Sequence, residues 1–176
     1  MKNTLISVAL FCSLPAAAEV LQVENHGFMI KNTSSTAATP QQVYTALTEN
    51  VDNWWPKDHS WWRGTFSIDP VAGGCFCEIA GDKQARHMQI AHVAPPVRLV
   101  MEGGLGPLQQ MGISGALTWS ITPSQNEDAT QITLTYNVHG ISPSGFEELA
   151  SVVDRVQASQ LQALADYVSA GHTATP

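Results

Sequence analysis

The sequence predicts an α+β domain: a curved antiparallel sheet of about six or seven strands wrapped around a long C-terminal helix. Three observations carry this. Segments 116–122 and 131–139 alternate apolar and polar residues at period two, the mark of strands with one buried face. From 144 to 171 the apolar residues recur at helical spacing instead. From 64 onward, Gly and Pro dipeptides divide one short apolar run from the next, with no repeat and no low-complexity linker, so a single domain is the economical reading.

The N-terminus sets the compartment. Lys2, the apolar run Leu5 to Leu14, Pro15 and Ala16-Ala17-Ala18 have the form of a secretory leader cleaved after Ala18. The run is too short to span a bilayer. Cys12 follows Phe11, whereas lipoprotein processing wants a small residue there. The expected mature domain is therefore 19–176, periplasmic or secreted. The full chain carries a net charge of −7, and losing Lys2 makes it one unit more negative. An acidic chain without a basic cluster argues against nucleic acid and anionic membranes as partners. No second apolar run approaches membrane length.

The elements follow in order. His26 to Thr36, rich in Thr and Ile, is a first strand. Thr39 is an N-cap and Pro40 a first helical residue, with Val43, Tyr44, Leu47 and Val51 as the apolar stripe. A short turn holds Trp54 and Trp55 before Pro56 breaks it. Strands then run over Thr65–Asp69, Cys75–Ala80, Arg86–Val93, Val97–Glu102, Ala116–Thr122 and Gln131–His139. Asp69-Pro70, Gly73-Gly74, Gly81-Asp82 and Pro95-Pro96 mark the turns. Ser144 with Glu147 forms a capping box. Leu149, Val152, Val153, Val156, Gln160, Ala163, Leu164, Tyr167 and Val168 give the final helix its stripe, and Gly171 stops it. About 25 residues at 1.5 Å each reach roughly 38 Å, enough to cross a small sheet. The sheet's buried face and the helix stripe cover each other, and the gap between them can become a cavity.

On these elements the chain resembles the helix-grip fold of START-like proteins, the SRPBCC superfamily. Within it the likeness is to domains related to the activator of the heat-shock-protein-90 ATPase. The residues that carry it are "ATPQQVYTALTENVDNWWP" at 38–56, "DPVAGGCFCEI" at 69–79, "IAHVAPPVRLVM" at 90–101, "GALTWSI" at 115–121 and the final helix. The superfamily includes lipid carriers, hormone receptors, polyketide cyclases and co-chaperone domains, so function has to be argued from the site.

Four of the five tryptophans sit in "NWWPKDHSWW", 53–62, around Asp58 and His59. In the resembling fold this segment closes one end of the cavity. Tryptophan there offers apolar area and one N–H to orient a ligand. The same rings equally suit completing a core. Trp61 and Trp62, as strand neighbours, point oppositely, and Trp62 is the first choice for the pocket. Trp55, His59, Trp61 and Trp62 are therefore candidate ligand-binding residues, as is Trp119 on the apolar face of 116–122. The loop "GGLGPLQQMG", 103–112, lacks the Lys-Ser/Thr ending of a phosphate loop. Longer than an ordinary hairpin connection, it is expected to be a lid with Leu105, Leu108 and Met111 over the ligand.

The Cys75 to His92 hairpin leaves two registers open. A three-residue turn sets Cys77 across from His87, a thiol–imidazole pair with some metal affinity. A turn of two or four residues puts Glu78 and His87 on one face, a carboxylate–imidazole pair for proton transfer. Cys-x-Cys with one histidine falls short of a zinc signature, so no metal and no cofactor are expected. Residues two apart on a strand lie roughly 6.6 Å apart, the long edge of disulfide geometry, so Cys75 and Cys77 are expected reduced or weakly bridged.

The leading functional expectation is binding of a small apolar molecule. An alternative is a cyclase- or isomerase-like enzyme using His87 with Glu78, or His59. A buried histidine bonded to a carboxylate in the pocket would favour it. A third is a co-chaperone-like interaction module, which calls for a filled core and an exposed apolar patch.

Overall fold

The computed structural model describes residues 17–124 and 129–171. The expected leader, 1–18, lies almost wholly outside the described residues, which begin at Ala17. The elements are β1 (Ala17–Glu24), β2 (Gly27–Thr36), α1 (Pro40–Glu49), α2 (Val51–Trp54), β3 (Thr65–Ile68), β4 (Cys75–Ala80), β5 (Lys83–Ala94), β6 (Arg98–Gly103), α3 (Pro107–Gln110), β7 (Ser114–Pro123), β8 (Thr130–His139) and α4 (Glu147–Ser169). The strands form one sheet in the order β1-β2-β8-β7-β6-β5-β4-β3, with every neighbouring pair antiparallel. α1 and α2 carry the chain from β2 to the far edge at β3. This is the helix-grip arrangement with eight strands, one beyond the upper expectation. The additional strand is β1, an edge strand whose Val20 and Leu21 are exposed, so no buried face imposed an alternation on it.

α1 begins at the expected cap. The Thr39 hydroxyl accepts from the Gln42 amide (3.3 Å) and the Gln42 side chain accepts from the Thr39 amide (2.8 Å), a reciprocal capping box. Val43, Tyr44, Leu47 and Val51 are all buried. The centre of the sheet packs Leu117, Trp119, Ile121, Leu134 and Tyr136 at 0–1% exposure.

α4 has 23 residues, about 34 Å of helix, and lies against β2, β1, β8 and α1. The capping box expected at Ser144 and Glu147 does not form: Phe146 is the N-cap and makes no side-chain cap bond. Packing decides the helix start, because Phe146 is buried with its ring 5.9 Å from that of Phe28. Glu147 and Glu148 complement the positive helix terminus in place of a cap. Ala150, Leu161, Leu164, Ala165 and Val168 are buried on this helix. The same element carries polar groups inward: Asn32 Nδ2 donates to Asp154 Oδ1 at 2.7 Å between β2 and α4, both residues buried.

The expectation that Cys75 and Cys77 are reduced or only weakly bridged is corrected toward a formed bond. Cys75 and Cys77 form a disulfide with their Cα atoms 5.5 Å apart. That is shorter than the roughly 6.6 Å of a regular strand. β4 is contracted over these residues, which brings the pair within bonding geometry, and its ladder to β5 shifts register between Phe76 and Cys77.

Candidate ligand-binding site

The segment after α2 is fixed by side chains of its own neighbourhood. Trp54 Nε1 donates to the Ala46 carbonyl at 2.8 Å, and its ring packs edge-on to Trp119 at 6.2 Å. Trp55 is extended, as a residue before proline should be, and ends the helix. Its ring lies 4.9 Å from Phe76 and 5.8 Å from Phe66, and its Nε1 donates to the His59 carbonyl at 3.1 Å. Lys57 Nζ donates to Asp52 Oδ1 and to the Gly64 carbonyl, closing the loop on itself. Asp52 Oδ1 also accepts from the Phe66 amide at 2.7 Å. Partial burial pushes the Asp52 carboxyl up, but Lys57 and the Phe66 amide outweigh it and hold the group below its ordinary value.

The β4–β5 hairpin settles the register. Ala80 pairs with Lys83 across the two-residue turn Gly81-Asp82, so Glu78 and His87 share a face. Cys77 pairs with Arg86 on the other face, so the thiol–imidazole arrangement is absent. A bulge follows: Cys77 pairs with Arg86 but Phe76 with Met88, leaving His87 as the extra residue. Both His87 and Met88 consequently turn inward and are buried.

Glu78 is 0% exposed and accepts four hydrogen bonds. Its Oε2 accepts from the Trp61 amide at 3.0 Å, and its Oε1 from the amides of Trp62 (3.0 Å) and Gly64 (2.9 Å). His87 Nε2 lies 3.2 Å from Oε2. Burial is the largest influence on Glu78 and raises its pKa. The three backbone N–H groups and His87 together overcome it and hold the carboxyl below its ordinary value. Burial lowers His87, and the bond to Glu78 offsets that only in part, so the imidazole is neutral at pH 7. With Glu78 ionised, the proton on Nε2 points at it and the lone pair is on Nδ1.

Between α4, the segment 55–61 and the lid lies a cavity of about 340 Å³. Trp55, Asp58, His59, Ser60 and Trp61 form one wall, with His87. Leu105 to Leu108 and Tyr136 form a second. Leu149, Val152, Val153, Val156, Gln157 and Gln160 of α4 form the third. The lid is one helical turn, α3, set between left-handed glycines Gly106 (φ 59°) and Gly112 (φ 70°). Tyr136 ties it down: its hydroxyl donates to the Gly103 carbonyl at 2.8 Å and accepts from the Leu105 amide at 3.1 Å. Burial pushes the Tyr136 hydroxyl up to about 12, so it stays protonated and keeps both bonds. Three polar atoms of residues lining the cavity are buried without a partner: Oε1 of Gln157, Oε1 of Gln160 and Nδ1 of His59.

Of the residues singled out in the sequence, Trp55, His59, Trp61, His87, Leu105 and Leu108 line the cavity. Four placements are corrected. Trp62 points away, 37% exposed over a surface groove with Gln84 and Arg86; the pair lies in the bend before β3 and not on the expected strand, and Trp61 borders both this groove and the cavity. Met111 lies past the end of α3 and is 47% exposed. Trp119 is fully buried in the core against Trp54. Glu78 stands behind His87 and does not line the cavity. Gln157, Tyr136 and the α4 residues Leu149, Val152, Val153 and Val156 complete the lining. The glutamines carried a signal, since Gln160 interrupts an otherwise apolar stripe. Among the described residues, no group of three or more His, Cys, Asp or Glu side chains is placed to hold a metal.

Comparison with known proteins agrees with this architecture. No curated protein matches the chain. The fold is similar to CalU16 from Micromonospora echinospora, at 17% identity and a TM-score of 0.58 over 90% of this chain and 84% of that one. It is also similar to the Aha1 dimer protein from Colwellia psychrerythraea, at 18% identity and a TM-score of 0.57 over 80% and 96%. A third similar structure is DynU16, from the dynemicin biosynthetic locus, at 20% identity and a TM-score of 0.57 over 81% of this chain and 48% of that one. These likenesses establish the fold. The sequence profile of the "Activator of Hsp90 ATPase homolog 1-like protein" family matches residues 37–169, from the start of α1 to the end of α4, and the chain belongs to that family.

Proposed function

We propose that this protein binds a small, mainly apolar molecule carrying one polar end, in the periplasm or outside the cell. The observation that carries the reading is the cavity of about 340 Å³, whose mainly apolar lining includes the polar side chains of Asp58, His59, Ser60, Gln157 and Gln160. Its size lies within the range of small-molecule sites, and its lining has their usual make-up, apolar walls with a few polar groups. Those polar side chains can hydrogen-bond one end of a ligand whose apolar body fills the rest of the space. Native mass spectrometry of protein taken from its own cell envelope tests the proposal. It should show a bound mass that denaturation releases, on a chain beginning at Glu19. A ligand-free chain under gentle desolvation, or intact Met1 on cytosolic protein, contradicts it.

A second reading is favoured by one observation, the buried His87–Glu78 pair at the cavity wall. A neutral imidazole backed by a carboxylate can take a proton from a bound ligand, with Glu78 stabilising the imidazolium that forms. Once the ligand is identified, wild type should catalyse deuterium uptake from solvent into it, and His87→Gln should bind it without exchange. Equal exchange in both proteins removes the enzymatic reading. A protein-interaction module calls for a filled core, which the cavity does not supply.

A further inference from the structure

We propose that Cys75–Cys77 is a thiol–disulfide exchange site on the outer face of the sheet, acting on small thiols independently of the cavity. Cys75 and Cys77 occupy the face of β4 opposite Phe76 and Glu78, which point into the core. Both are partly exposed. Their cross-strand neighbours, Ser67 on β3 and Arg86 and Gln89 on β5, are all exposed. Solvent therefore reaches the bridge from the side away from α4.

The bridge is poorly placed to be a staple. It joins residues two apart in the chain. Closing so short a loop removes far less freedom from the unfolded state than bridging distant segments does. β4 is already held by ladders to β3 and β5 on both sides. The disulfide can therefore open without the domain opening.

The surroundings also give the exchange a direction. Arg86 is the cross-strand partner of Cys77 on the exposed face. Directly opposed side chains have Cβ atoms about 5 Å apart, close enough for a guanidinium to favour a thiolate. An external thiolate attacks Cys75 Sγ and forms a mixed disulfide there. The Cys75–Cys77 bond breaks, and its electron pair leaves on Cys77 Sγ beside Arg86. A second thiolate attacks the external sulfur of the mixed disulfide, releasing Cys75 as a thiolate and one molecule of oxidised external disulfide. The two protons of the consumed thiols end on Cys75 and Cys77. Two electrons pass from two thiols to the protein, and the reverse sequence with oxidised glutathione restores the bridge. The lower the pKa of the departing thiol, the faster this step.

The test uses the unreduced full-length protein in buffers of graded reduced-to-oxidised glutathione ratio, quenched with iodoacetamide and read by the mass of the tryptic peptide 64–83, which carries Cys75 and Cys77 but not Cys12. The expected result is a smooth, reversible conversion from no alkylated cysteines to two, with an unchanged far-UV circular dichroism spectrum. Arg86→Gln should slow the opening roughly threefold, because the departing Cys77 thiolate loses its cationic neighbour. Two alkylated cysteines without any reductant, or a bridge that opens only when denaturant unfolds the chain, overturns the proposal. An Arg86→Gln variant that opens at the wild-type rate overturns the direction assigned to the attack.

Discussion

Glu78→Ala tests whether one buried carboxylate organises the cavity wall. The substitution removes the acceptor for the amides of Trp61, Trp62 and Gly64 and for His87. Hydrogen bonds to a charged group contribute about 1.5–3 kcal/mol each, so four of them set an upper range well above 5 kcal/mol. The full sum is not expected, because Trp62 and Arg63 are exposed and the freed amides of 61–64 can rehydrate. His87 is 4% exposed and cannot do so without moving. The expected loss is about 3–5 kcal/mol, measured by urea unfolding at pH 7 with circular dichroism and tryptophan fluorescence. The acid limb adds a second signature. Glu78 is held below its ordinary value of 4.5 when folded, so the folded state favours its ionised form. Its contribution is fully present above about pH 4.5 and is lost as pH falls through the lower folded value. Wild type should therefore lose stability in that window more steeply than the variant, with Asp52, also lowered, accounting for the slope that remains. A loss under about 1 kcal/mol at pH 7, or superimposable acid limbs, refutes the reasoning.

Three further outcomes follow from the same geometry. Burial lowers His87 from its ordinary value of 6.5, so its neutral form is favoured on folding. Stability present above about pH 6.5 should decline as pH falls below it, and His87→Phe should flatten that part of the urea-midpoint profile; an unchanged profile contradicts the shift. Phe76→Ala should cost about 3–5 kcal/mol, because its fully buried ring packs on Trp55, Phe66 and His87; a change in urea midpoint worth less than about 1 kcal/mol would contradict that packing. Trp62→Ala should leave the affinity for an apolar fluorescent probe within about twofold of wild type, since the ring lies outside the cavity; a tenfold loss would place it inside.

The sequence made the alternating strands legible because one buried face forces period two, as in Leu117, Trp119 and Ile121. It made α1 legible because Thr39-Pro40 is a local start signal that tertiary packing left intact. Where local signals met packing, packing prevailed. Ser144 lost the cap of α4 to the burial of Phe146. The site was readable only in part. Cys75–Ala80 and Gly81-Asp82 located the hairpin but left its register open, and a bulge adds one residue without a mark in the sequence, His87. β4 is also contracted at Cys75 and Cys77, which regular strand spacing did not anticipate, and that allows the disulfide. Trp61 and Trp62 show the other limit: strand alternation was expected to set them apart, but they lie in the bend before β3, where the sequence has no period to say which turns inward.

The central claim is that the space between α4, the lid and the segment 55–61 holds an apolar ligand. The direct measurement is a fluorescence titration with N-phenyl-1-naphthylamine, an apolar probe with one N–H donor, on wild type and on Val153→Trp. Val153 lines the cavity on α4, and tryptophan at that position fills the space. Wild type should bind one probe per chain, with quenching of Trp55 and Trp61 as it does so. Val153→Trp should keep its unfolding midpoint and bind at least about tenfold more weakly, a difference of about 1.4 kcal/mol. No saturable binding by wild type, or equal affinity in a folded Val153→Trp protein, contradicts the claim.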